Sequence, residues 1–284
     1  MGNVYCNLGT IKDAGSLGLT STSYDTQLLR IAEVASRELD KYTDRFFYIY
    51  EGTFYQDGGA TRVVLDFDVQ TISTMLLDTG GDGTYTTSTN LTTAPVDFFL
   101  YPQNIFPKTR IEANPWGTIG HLAAGIRNGI KITGVFGYGN DWPADYVHTA
   151  TTVVSVALAS TDITVSVSTG SSFYGGMTLR IGTEQMYVTA TPTGSTLAVT
   201  RAQNGTVAGT AVISTAISIY DYPQAITQAC LIQTVRTWKR RESGYVNAII
   251  NTDMGNIQVF KGLDPDVKEI VNQYRRIRIQ RYLG

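Results

Sequence analysis

TTVVSVALASTDITVSVSTGSSFYGGMTLRIGTEQMYVTATPTGSTLAVTRAQNGTVAGTAVISTAISI, residues 151–219, holds only four charged side chains: Asp162, Arg180, Glu184 and Arg201. It is crowded with Thr, Ser, Val, Ala and Gly. Short alternating or apolar runs at 153–157, 163–167, 177–181, 185–189, 196–200 and 211–217 are divided by turn formers such as Gly175-Gly176, Thr193-Gly194 and Asn204-Gly205. Strand-length runs at regular turn spacing predict a small all-β sandwich or barrel. The sequence on both sides differs in texture, with helical periodicity, aromatic strands and nearly all the Lys and Arg. The block therefore reads as a domain inserted into a chain whose two flanks share one core.

On the N-terminal side, residues 1–20 are Gly-rich and polar, which predicts a flexible arm. Thr22 followed by Asp25 resembles a capping box. Leu28, Ile31, Ala32, Ala35, Leu39 and Tyr42 then share one helical face, predicting a helix of roughly five turns. Phe46 to Tyr55 is aromatic and strand-like. Asp57-Gly58-Gly59 offers positive-φ turn residues, so 52–67 is expected to be a long β-hairpin. Further strands are expected at 71–77, 98–101 and 130–136, with 104–124 irregular and Trp142-Pro143 a break.

On the C-terminal side, Ala225, Ile226, Ala229, Ile232, Val235 and Trp238 form a stripe after Pro223. That helix closes in Lys239-Arg240-Arg241, cations suited to a helix C-terminus. Residues 243–262 read as loop. Asp264-Pro265 reads as N-cap and first helical residue, with Val267, Ile270, Val271, Tyr274 and Ile277 as the apolar stripe of a tail helix. The expected fold class is α+β: a helical core with a long β-hairpin (21–150 and 220–263), the inserted all-β domain (151–219) and a C-terminal helix (264–284).

Composition narrows the function classes. The chain has 284 residues, 16% of them charged, and a net charge of −2, which argues against a dedicated nucleic-acid binder. The charge is uneven: residues 230–284 hold ten of the 22 Lys and Arg against five acids. No apolar run reaches membrane-spanning length, and no charged-then-apolar leader opens the chain. Cys6 and Cys230 are the only cysteines, and so far apart they read as buried or free thiols.

Candidate chemistry is thin. Asp78 and Asp82 in DTGGDG lack the further ligands of a calcium loop and read as a tight turn. Gly134, Gly137 and Gly139 lack the GK[ST] ending of a phosphate loop. His121 and His148 have no motif neighbours. Asp66, Asp68 and Glu112 are scattered carboxylates without visible pairing. The aromatic run at 46–55 reads as packing rather than as a stacking platform. Neither a cofactor nor catalysis is expected.

Three stretches together resemble the head–tail connector, or head-completion adaptor, family of long-tailed bacteriophages. They are YDTQLLRIAEVASRELDKYTDRFF at 24–47, KITGVFGYGNDWPADYVHTA at 131–150 and YPQAITQACLIQTVRTWKRRESG at 222–244. The match covers 20–150 and 220–284, and the β block interrupts it. The resemblance implies a virion protein of the neck, assembled in the host bacterial cytoplasm without a membrane step. It would form a homo-oligomeric ring, usually of twelve subunits, beneath the portal protein. The ring would extend the channel for genomic DNA and receive the next neck, stopper or tail-completion protein. It also implies portal docking by the tail, here Val267, Ile270, Val271, Tyr274, Arg275, Arg276, Ile277, Arg278 and Arg281. Contacts between subunits are expected from the hairpin residues Phe54, Tyr55, Val63, Val64 and Leu65. Arg236, Lys239, Arg240 and Arg241 are candidates for a channel, DNA or ion-pair surface. A tail-associated protein whose β module binds host-surface glycan is the alternative.

Overall fold

The structure is a computed structural model that describes residues 2–89, 96–139, 147–242 and 262–276, with only the backbone at 147–152 and 242. Among the described residues it contains four helices and twelve strands, the strands mostly gathered into two six-stranded antiparallel sheets. The chain is mostly β, which corrects the expected helical core. It divides into two compact units: residues 1–45, 147–203 and 207–284, and residues 46–146 with 204–206. The helices and the 151–219 block thus share one unit, and the aromatic strands make the other. Composition had grouped the segments by texture, whereas packing groups them by which apolar faces meet.

The second unit holds β1 (Tyr50–Gln56), β2 (Arg62–Leu77), β3 (Thr87–Ser88), β4 (Phe98–Tyr101), β5 (Lys108–Ala113) and β6 (Ile130–Phe136). Their order is β1-β6-β2-β5-β4, with β3 on β2. The expected hairpin is therefore absent. β6 lies between β1 and β2, and Phe54 faces Ile132. Gly58 and Gly59 serve close approach instead: their N–H groups donate to Ile126 and Leu122 at 2.8 and 2.7 Å. A Cβ on Gly58 would lie 1.7 Å from the Ala123 carbonyl oxygen. β5 lies inside the stretch expected to be irregular; KTRIEA has only one large apolar side chain, Ile111, to signal a strand. β2 is long and bent by bulges, pairing with β5 in its first half and β6 in its second. Phe54, Phe67 and Phe136 form the centre of the core, with ring centroids 4.6–5.3 Å apart.

The first unit holds α1 (Leu8–Lys12), α2 (Asp25–Thr43), α3 (Gln224–Glu242) and α4 (Pro265–Asn272). Its strands are β7 (Val147–Val153), β8 (Thr164–Ser166), β9 (Thr178–Ile181), β10 (Glu184–Val188), β11 (Thr196–Gln203) and β12 (Ala216–Tyr220), in the order β7-β12-β9-β10-β11-β8. Past the ends of β7 and β8, Ser155 N–H donates to Ser166 O at 2.9 Å and Ser168 N–H to Val153 O at 3.1 Å. The two edges meet there, so the sheet is a half-closed barrel around Val165, Phe173, Leu179, Met186, Leu197 and Ile217.

α2 and α3 are antiparallel neighbours. Glu38 meets Gln233 at 3.0 Å near one end, and Gln27 meets Arg241 at 3.0 Å near the other. The expected capping box is not formed; Asp25 instead takes the Lys12 ammonium at 2.7 Å. Residues 2–20 are not a loose arm. Val4, Tyr5, Cys6, Leu8 and Ile11 are all buried. Leu8 N–H donates to Gly175 O at 2.9 Å, and a Cβ on Gly176 would sit 2.9 Å from Leu29. Burying each such side chain stabilises by roughly 1.5–3 kcal/mol, enough to order a segment whose Gly content suggested mobility.

Candidate functional site

The tail stripe is already occupied by the chain itself. Val267 and Val271 are fully buried, Ile270 and Tyr274 are half-buried, and Asp264 caps α4 by accepting from Asp266 N–H. Asp264 N–H donates to Gln233 at 3.3 Å, and Arg276 N–H donates to Thr43 O at 2.8 Å. The stripe expected to dock on a portal is thus turned onto the chain's own α2–α3 pair. Arg275 lies over the Tyr42 ring at 5.8 Å. Ile277, Arg278 and Arg281 lie outside the described residues.

Of the expected inter-subunit residues, Val63 and Leu65 are core, and half-buried Phe54 belongs to the aromatic cluster. Only Tyr55 (50% exposed) and Val64 (43%) present a surface. The alternation of β2 explains this: Val63 and Leu65 share one face and Val64 the other.

The cationic end of α3 is largely engaged. Arg236 pairs with Asp264 at 3.0 Å. Arg241 stacks over Trp238 at 4.4 Å and reaches Gln27. Lys239 is exposed and Arg240 half-buried. These side chains act mainly as staples among α2, α3 and α4.

Two polar clusters were not legible from spacing. In the barrel, Glu184 accepts from Arg201 Nε at 2.7 Å and Ala202 N–H at 2.9 Å on one oxygen. Its other oxygen accepts from the Arg201 guanidinium at 2.6 Å and Gly209 N–H at 2.9 Å. Arg201 also donates to the carbonyls of Ala159, Asp162 and Gly209. Burial opposes the Glu184 charge, yet these donors hold its carboxyl below the ordinary range. The cluster pins the loops at 159–162 and 209 to the barrel.

The second cluster lies beneath the N-terminal segment. The Cys6 and Cys230 sulfurs are 3.0 Å apart. Ser36 Oγ accepts from Tyr5 N–H at 3.0 Å and lies 3.4 Å from Cys230 Sγ. Tyr5 donates its hydroxyl to Asp40 at 2.5 Å, with Arg37 3.2 Å from the same carboxylate. Burial lifts Asp40 to about 6 against the pull of Arg37 and Tyr5.

The remaining candidates are structural. Asp78 accepts from the N–H groups of Gly80, Gly81 and Gly83, the geometry of a tight turn. Glu112 pairs with Arg110 and Arg62, Asp66 accepts from Gln56, Asp68 is buried and His121 is exposed. Only the backbone of His148 is described. A cavity of about 250 Å³ is lined by Val4, Asn7, Met177, Thr178, Tyr220 and Tyr222. Among the described residues no cluster of three or more His, Cys, Asp or Glu could hold a metal. None of the described helices is long and apolar enough to cross a membrane. No protein-family model matches the chain, and no curated protein matches it.

Proposed function

We propose that this chain is a head–tail adaptor of a bacteriophage virion, a structural subunit of a ring that docks beneath the portal, extends the DNA channel and receives the next neck or tail protein. The observation that carries the reading is the antiparallel α2–α3 pair. Its two helices come from the first and third stretches of the adaptor resemblance, which the β block separates. Tyr24 meets Trp238 at a ring distance of 5.3 Å, and Gln27 meets Arg241. The two helices thus pack side by side although the block separates them in sequence. Docking by the tail stripe is not retained, because Val267 and Val271 face the chain's own helices. The exposed Tyr55 and Val64 are the best placed of the expected residues to meet a neighbouring subunit.

Electron microscopy of the purified chain, alone and mixed with portal rings, tests this. Rings with a central pore that attach to portal are expected. A monomer or trimer that ignores portal and binds cell-surface polysaccharide would replace the reading with the glycan-binding one. The double variant Tyr55→Asp, Val64→Asp is expected to fold normally by circular dichroism and to lose ring formation; intact rings would move the subunit interface elsewhere.

A further inference from the structure

We propose that Cys6 and Cys230 form an oxidisable dithiol site, closed by a small-molecule disulfide into a covalent tie between the N-terminal segment and α3. The observations are geometric. The two sulfurs are 3.0 Å apart, roughly 1 Å more than a covalent S–S bond. They are separated by 224 positions in sequence and held on different elements. They are the only cysteines of the chain, so one intramolecular pairing exists and no mispaired isomer competes with it.

The surroundings hold the pair in register. Cys230 sits on α3, with Ser36 Oγ of α2 at 3.4 Å and Thr234 Oγ1 one turn on at 4.0 Å. Cys6 sits on a bent segment that belongs to neither helix nor strand. That segment is fastened to α2 by side-chain hydrogen bonds: Gly2 N–H to Glu33, Tyr5 N–H to Ser36, and the Arg37 guanidinium to Asn3 O. Both thiols are buried, and burial keeps the Cys6 thiol well above its ordinary range. A reagent therefore reaches them only when the segment lifts from α2, a local opening that costs less than global unfolding.

The chemistry balances as two thiol–disulfide exchanges. With the segment lifted, the Cys6 thiolate attacks one sulfur of the oxidant RSSR, forming a mixed disulfide and expelling one RS⁻. The Cys230 thiolate then attacks the Cys6 sulfur and expels the second RS⁻. The protons leave with the two RSH molecules, so one RSSR is reduced to two thiols as the protein loses two hydrogens. The tie closes a loop that contains most of the chain, the case in which a cross-link restricts the unfolded state most. The dithiol form would prevail where thiols are kept reduced, and the tied form after transfer to an oxidising medium.

The test uses the unmodified full-length chain and oxidised glutathione. After prolonged incubation without denaturant, both thiols should disappear together. Intact mass should show loss of two hydrogens with no glutathione retained. A non-reducing tryptic digest should link peptide 1–12 to peptide 202–236, which carry the two cysteines. The Tm should rise by at least about 5 °C and revert with dithiothreitol. Cys6→Ala and Cys230→Ala should each show no cross-link and no gain in Tm on oxidation. Retained glutathione without the linked peptides, or dimers linked between chains, would overturn the proposal. So would a native chain that keeps both thiols while a urea-unfolded sample oxidises under the same exposure. The measurement on the unmodified chain decides the matter even where an alanine variant folds poorly.

Discussion

The barrel buries one carboxylate and the helix cluster half-buries another, and they handle them in opposite ways. Glu184 is 2% exposed, but both its oxygens are met by an arginine and backbone N–H groups. Asp40, at the edge of the Cys6 cluster, has one arginine and one tyrosine hydroxyl. The first carboxyl is held below its ordinary range and the second is raised to about 6. Burial alone does not decide what a charge does to stability. The number of donors built around it does.

The sharpest way to break this comparison is Glu184→Gln. It leaves Arg201 buried opposite a neutral group and should cost about 3–5 kcal/mol by urea unfolding. The double variant Glu184→Leu, Arg201→Met should recover only part of that loss: no unpaired charge remains, but the N–H groups of Ala202 and Gly209 lose their acceptor. A Glu184→Gln chain as stable as the parent would show that the loops at 159–162 and 209 are held by other means.

Asp40→Asn should have the opposite sign. The folded-state pKa of Asp40 lies above its ordinary 3.8, so its favourable contribution is full below about pH 4 and is lost as pH rises through about 6. The ionised group therefore weakens the native state at pH 7.5, and the asparagine variant should be more stable there by about 3 kcal/mol. That advantage should vanish at pH 4. A variant less stable than the parent at both pH values would mean that the Tyr5 and Arg37 contacts outweigh the desolvation.

The two carboxylates should also separate in a titration of the urea midpoint. As pH falls from 7 to 5, Asp40 adds stability, and the Asp40→Asn variant should lose that part of the slope. Glu184, with its pKa lowered, supports the fold above the ordinary carboxylate range and ceases to do so only as pH falls through its folded-state value. The smallest expected effect belongs to Ser36→Ala, which strips the acceptor from Tyr5 N–H and should cost about 1–3 kcal/mol. A neutral Ser36→Ala would mean that the N-terminal segment is held by its apolar side chains alone.

Local pattern made much of the secondary structure legible and little of the tertiary arrangement. α2 and α3 followed from their 3.6-residue periods, α4 from Asp264-Pro265, and the barrel from its alternation and turns. The hairpin reading failed because adjacency in sequence favours β1 with β2, yet β6 wins both partners through Phe136 and Ile132. The N-terminal arm failed because Val4, Tyr5, Leu8 and Ile11 are too sparse to show a period. Glu184 and Arg201 stood out only as rare charges in a neutral block; that rarity was the available signal. Cys6 and Cys230 carried none, since nothing in spacing says which distant segments meet.

The antiparallel α2–α3 pair also sets a schedule for synthesis. α2 leaves the ribosome early, but its partner begins only at Gln224. At roughly 5–20 residues per second, α2 waits on the order of ten seconds or more for α3, whose Cys230 meets Ala32. The 46–146 unit has all its strands well before then and can close while α2 waits. A nascent chain stalled before residue 224 should therefore be a substrate for holding chaperones at α2, and release from them should coincide with the appearance of α3.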